Sequence, residues 1–171
     1  MAGDIAPQGK VDVVVALHAC DMATDDALHA AVLGGARAIV AAPCCHKQLR
    51  PQLERHRKGS EADPALQAIL RHGVLADRHA EAVTDTMRCL ALECVGYEAR
   101  MVEWAPLDHT AKNTMLVATR SSVDTDAEAR LRALAAFHGV ARQRLCGLLD
   151  LDLPGADEAA AAAPRGRMPR E

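Results

Sequence analysis

The sequence predicts an α/β fold, on three observations. Two short apolar runs near the start read as strands and are joined by a helical pattern. Helical patterns then follow one another, from residue 47 to residue 94. Two further strand candidates, separated by a loop, come next. The order strand, helix, strand, helices, strand, loop, strand belongs to the α/β class.

Each element has a local cause. Val11–Leu17 (VDVVVAL) is β-branched with little alternation, which predicts a strand buried on both faces. Thr24 offers an N-cap, followed by Asp25 and Asp26. Ala27, Leu28, Ala31 and Val32 share one helical face, and Gly34 and Gly35 end the helix. Ala36–Ala42 is the second strand, closed by Pro43. About 20 residues separate the two runs, which suits a parallel crossover and is too long for a hairpin.

Residues 47–57 form a polar helical pattern, and residues 58–61 a loop. Asp63 followed by Pro64 starts a helix that runs to Gly73. Residues 77–94 form the longest pattern, with Ala80, Val83, Met87, Leu90, Ala91 and Cys94 on one side. Glu98–Trp104 and Thr114–Thr119 are strand candidates, and residues 125–138 a final amphipathic helix. Residues 1–10 are a lead-in, 11–140 the folded domain, and 141–171 a tail expected to be mostly disordered.

Composition narrows the function. The 171 residues are 50% hydrophobic and 25% charged, with a net charge of -3. One soluble domain fits these values, and no membrane span does. Mild acidity argues against a strongly electrostatic nucleic-acid binder. Aromatics at 2% argue against a base-stacking surface. The six cysteines, two of them adjacent, and a polar start without a leader point to free thiols in a reducing cytoplasm.

In open α/β sheets, ligands bind at the carboxyl ends of parallel strands. The first strand runs into His18, Ala19, Cys20 and Asp21, the second into Pro43, Cys44, Cys45 and His46. Three readings compete for this cluster. It is a small-molecule site, or a metal site built from Cys20, Cys44, Cys45 and His46 without the usual C-x₂-C spacing, or a set of buried apolar thiols and a backbone-bonded histidine. A second polar group, His109, Thr110, Lys112 and Asn113, sits in the loop between the last two strands. By itself it also reads as a solvated turn. The basic run 55–58 reads as a helix end.

The runs VVVALHACDMATDDAL, IVAAPCCHKQL and DHTAKNTMLVATR, in this order, resemble the carboxyl half of a family of class I S-adenosylmethionine-dependent methyltransferases. The likeness covers about residues 11–120. It implies a Rossmann-like three-layer sandwich, of which this chain holds strands 4-5-7-6 in spatial order, with strand 7 antiparallel. It implies S-adenosylmethionine as cofactor, bordered by His18, Ala19, Cys20 and Asp21. Pro43, Cys44, Cys45, His46, His109, Thr110, Lys112 and Asn113 then lie on the side of the methyl acceptor, whose identity it leaves open. His18 and His46 are the candidate bases. The glycine-rich turn and ribose-binding acid of the family's first two strands have no counterpart in the sequence. A truncated or split enzyme is therefore expected, with a non-catalytic Cys/His metal-binding or interaction module as the alternative. The edge of Val11–Leu17 is expected to pair with a partner chain or a second copy.

Overall fold

The computed structural model describes residues 11–59, 62–104 and 113–154. The expected α/β order holds: β1 (Val13–Leu17), α1 (Met22–Leu33), β2 (Ala38–Ala42), α2 (Arg50–Lys58), α3 (Pro64–Leu70), α4 (Gly73–Cys94), β3 (Tyr97–Glu103), β4 (Thr114–Arg120), α5 (Ala127–Phe137) and α6 (Arg144–Leu148). The four strands form one mixed sheet in the order β1-β2-β4-β3. β1 and β2 run parallel, with Val15 opposite Val40. β4 is antiparallel to both of its neighbours, β2 and β3. The βαβ start and the late β3–β4 pair thus meet side by side through β2 and β4.

Register sorts the sheet residues into two faces. Val14, Ile39, Ala118 and Ala99 are cross-strand partners on one face, as are Ala16, Ala41, Leu116 and Met101. All belong to or pack against the core, together with Leu28 of α1, Met87 and Leu92 of α4 and Leu131 of α5. Val15, Val40 and Val117 lie on the opposite face, and no residue of that face joins the core.

Two expectations are corrected here. The first strand is not buried on both faces: Val13, Val15 and Leu17 are 54%, 58% and 56% exposed. The apolar run reports strand propensity, but burial of both faces needs a layer on each side. Nor do the described residues form a three-layer sandwich. Their helices cover one face of the sheet, which gives two layers. β1 is also an edge strand, hydrogen-bonded on the β2 side alone among the described residues.

Local chemistry explains the boundaries. Asp63 caps α3, its Oδ1 accepting from the backbone N–H groups of Ala65 at 2.8 Å and Leu66 at 3.1 Å. α1 starts at Met22, earlier than a Thr24 cap allows. Thr24 is buried inside the helix, where its hydroxyl donates to the Ala19 carbonyl. Gly73 begins α4 and does not end α3. Residues 141–154 fall on the tail side of the expected boundary, yet they hold α6, which packs on α1 through buried Leu145 and Cys146. No helix is long and apolar enough to cross a membrane among the described residues.

Candidate functional site

β1 and β2 run parallel, so their carboxyl ends lie side by side. The turn after β1 is strained. His18 has φ 58°, and Asp21 has φ 54° with ψ -119°. Such values cost a non-glycine residue of order 1–3 kcal/mol and persist where surrounding bonds enforce them.

Asp21 shows those bonds. Its Oδ1 accepts from the backbone N–H of Lys47 at 2.8 Å and of Gln48 at 3.0 Å. Its carbonyl accepts from Arg88 Nη2 at 2.8 Å. One residue at the end of β1 therefore ties down the loop after β2 and reaches into the helical layer.

Arg88 is the hub beneath the site and is 1% exposed. Its guanidinium grips Asp25 through two bonds, Nε to Oδ1 at 3.0 Å and Nη2 to Oδ2 at 2.9 Å. Nη1 donates to Asp85 Oδ1 at 2.9 Å. Burial opposes the Arg88 charge, but the Asp25 and Asp85 carboxylates outweigh it and raise its pKa above the ordinary value. Gln143, entering from the segment before α6, donates to Asp25 Oδ1 at 2.7 Å. The other oxygen of Asp85 meets His46 Nε2 at 2.9 Å. The chain His46–Asp85–Arg88–Asp25–Gln143 is thus continuous and buried.

His46 is 6% exposed. Its Nε2 donates to the Asp85 carboxylate, which leaves Nδ1 as the ring nitrogen without that partner. That Nδ1 is buried and makes no hydrogen bond among the described residues. His46 lines a cleft of ≈ 200 Å³ together with Cys44, Cys45, Lys47, Arg50, Asp77 and Glu81. Arg50 pairs with Asp77 across its rim.

The thiols converge. Cys20 Sγ and Cys44 Sγ are 3.1 Å apart, and Cys44 and Cys45 3.7 Å. All three sulfurs lie within 4.8 Å of one another. The bond with Cys20, then burial and the bond with Cys45, push the Cys44 thiol up to about 12. It is protonated at neutral pH and is no thiolate nucleophile in this form.

The structure therefore brings together Cys20, Cys44 and Cys45, and ties Asp21 to the loop of Lys47. Ala19 meets the Thr24 hydroxyl, and Pro43 is buried between β2 and Cys44. His18 is exposed. His46 turns away from the sulfur group toward Asp85, so the four-residue metal set does not assemble as a unit. His109, Thr110 and Lys112 lie outside the described residues. Asn113, beside them, is buried, and its carbonyl accepts from the Trp104 N–H.

Sequence reasoning missed Asp85, Arg88 and Gln143. One signal was available. Asp85 and Arg88 are three apart within the stripe of α4 that also carries Ala80, Val83, Met87 and Ala91, so an ion pair is set among core positions. His138 was also missed. It is buried, stands 3.3 Å from His79 by ring nitrogens, and is pushed down to about 4 by burial and by His79 and His56.

Comparison with known proteins adds one finding. A family model described as a methyltransferase domain matches residues 3–52. The matched segment spans β1, α1, β2 and both polar strand ends. No curated protein and no solved structure matches the chain.

Proposed function

We propose that this chain forms the methyl-acceptor side of a methyltransferase that uses S-adenosylmethionine. The observation that carries the reading is the match of residues 3–52 to a methyltransferase-domain model, because that segment holds both polar strand ends. The strand pairing supports it. β1, β2, β3 and β4, taken as the fourth to seventh strands of a larger sheet, give the order 4-5-7-6 with the last strand antiparallel, as that assignment requires.

The residues fit one wall of a cofactor pocket. A cleft of ≈ 200 Å³ is smaller than the roughly 300–1,000 Å³ of a typical ligand pocket. The remaining wall comes from a strand laid along the open edge of β1, supplied by a partner chain or a second copy. S-adenosylmethionine, when bound, supplies an electrophilic methyl group. His18, Ala19, Cys20 and Asp21 border it. Pro43, Cys44, Cys45 and His46, with the His109–Asn113 loop, orient the acceptor.

Exposed His18 accepts the acceptor's proton. Asp85 fixes the orientation of the His46 ring through Nε2, and His46 is the second candidate base. Cys44, held protonated, is an orienting contact and not a nucleophile.

Calorimetric titration with S-adenosylmethionine, over chain concentrations that span self-association, tests the reading. One site per chain, lost in His18→Ala with the fold intact, is expected. A folded chain that shows neither heat with S-adenosylmethionine nor with S-adenosylhomocysteine at any chain concentration overturns it.

A further inference from the structure

We propose that Cys20, Cys44 and Cys45 bind one thiophilic metal ion, with zinc(II) as the ion that fits. The inference uses three residues that also line the proposed methyltransferase site and replaces the protonated state of Cys44 with a metal-bound thiolate; its test uses no methyl donor, so the two readings can fail separately.

Geometry is the first support. Zinc–sulfur bonds of about 2.3 Å in tetrahedral arrangement set sulfurs about 3.8 Å apart. Here two of the separations are 3.1 Å and 3.7 Å, and all three sulfurs fall within 4.8 Å. Small side-chain rotations suffice to seat one ion.

Preorganisation is the second. The three sulfurs come from two strand ends that Asp21 pins together through the backbone of Lys47 and Gln48. The residue after Cys20 is held by Arg88, and the residue after Cys45 by Asp85. The ligand-bearing loops are therefore fixed before any ion arrives, as a specific site requires.

His46 borders the cluster without joining it. His46 is more than nine-tenths buried and lines the cleft with Cys44 and Cys45, yet its Nδ1 makes no hydrogen bond among the described residues. His46 stays outside the sulfur group, so the fourth metal position belongs to an exogenous ligand, the arrangement of an exchangeable zinc site.

Binding is balanced in charge and protons. Three S–H bonds break, three sulfur–zinc bonds form, and three protons pass to solvent. No oxidant takes part. The partial exposure of the cluster lets an ion enter from solution.

The test uses the full chain, stripped with chelator and kept reduced. Zinc(II) is titrated in competition with a chromophoric chelator. Cobalt(II) is added in parallel, and its sulfur charge-transfer absorption counts thiolates. One zinc per chain is expected, with a cobalt spectrum of three thiolates. Cys20→Ser, Cys44→Ser and Cys45→Ser each weaken zinc binding by about 100-fold or more, since even outer partners of a ligand are worth 10- to 100-fold. Cys94→Ser, on α4, changes nothing. Circular dichroism of each variant separates ligand loss from unfolding, and Cys20 is exposed enough for its variant to fold. A folded, reduced chain without stoichiometric zinc overturns the proposal. So does zinc uptake that survives all three serine variants.

Discussion

Val14 and Val15 are adjacent in β1 and carry the same side chain, but they face different surroundings. Val14 points into the helical layer and packs against the core, while Val15 is 58% exposed on the other side of the sheet. The difference extends to the whole sheet. On the covered side, Ile39, Ala41, Leu116 and Ala118 are fully buried beneath α1 and α4. On the bare side, Val13, Val15 and Leu17 line the sheet edge with apolar surface. The covered side also holds the molecule's most demanding polar feature, the Arg88 network, directly under the strand ends. The contrast teaches that the helical layer both stabilises the sheet and positions the site. The bare face and the open edge are where further contacts can form.

The largest expected effect on the covered side is at Arg88. Arg88→Ala leaves Asp25 and Asp85 buried without their cation, and unfolding stability falls by about 3–5 kcal/mol. Urea titration of the variant beside the parent chain measures it. A loss near zero would mean that the two carboxylates take up protons or water at no cost, and that the hub does not hold the layer.

Ile39→Ala, fully buried in β2, costs about 2–5 kcal/mol by the same measurement. Its counterpart across the sheet is Val15→Ala, expected to cost within about 0.5 kcal/mol, as exposed positions do. Equal losses at the two positions would show the bare face to be covered in solution.

The helical layer also carries a pH dependence. The folded-state pKa of His138 lies at about 4, below its ordinary 6.5, chiefly through burial and then through His79 and His56. Above pH 6.5 the imidazole is neutral in both folded and unfolded chains and sets no slope. As pH falls from 6.5 to about 4 the unfolded chain takes up the proton first, so stability drops, by about 1 kcal/mol per pH unit at most. His138→Gln flattens that part of the curve, which thermal melts from pH 7 to pH 4 register.

The smallest change in stability accompanies Leu17→Lys on the bare side. A charge there leaves folding within about 0.5 kcal/mol, but it lowers association through the β1 edge. Sedimentation velocity decides the point. Unchanged association would place the partner surface elsewhere.

Much of the geometry at the candidate site was legible in the sequence because it is local. His18–Asp21 and Pro43–His46 each follow an apolar run at once, and the parallel crossover between the runs sets their ends together. The convergence of Cys20, Cys44 and Cys45 follows from that. The Arg88 hub was not legible, since its members meet only through packing. Asp25 and Arg88 are 63 positions apart and Asp25 and Gln143 118. The same holds for His46, whose place beside Cys45 hides that its ring turns to Asp85, 39 positions away.

The sequence by itself determined the α/β class and most of the elements, but not α6, which falls in the stretch expected as tail. Apolar β-branched runs, helical period and Asp63 with Pro64 act between neighbours along the chain, and local pattern records them directly. Tertiary structure alone decided which face of β1 meets a helix, and that Arg88 and Asp85 stand under the strand ends. Burial is a property of what lies opposite a residue. An apolar strand presents the same surface to a helix, to water or to a partner, and only the packed layer selects among them.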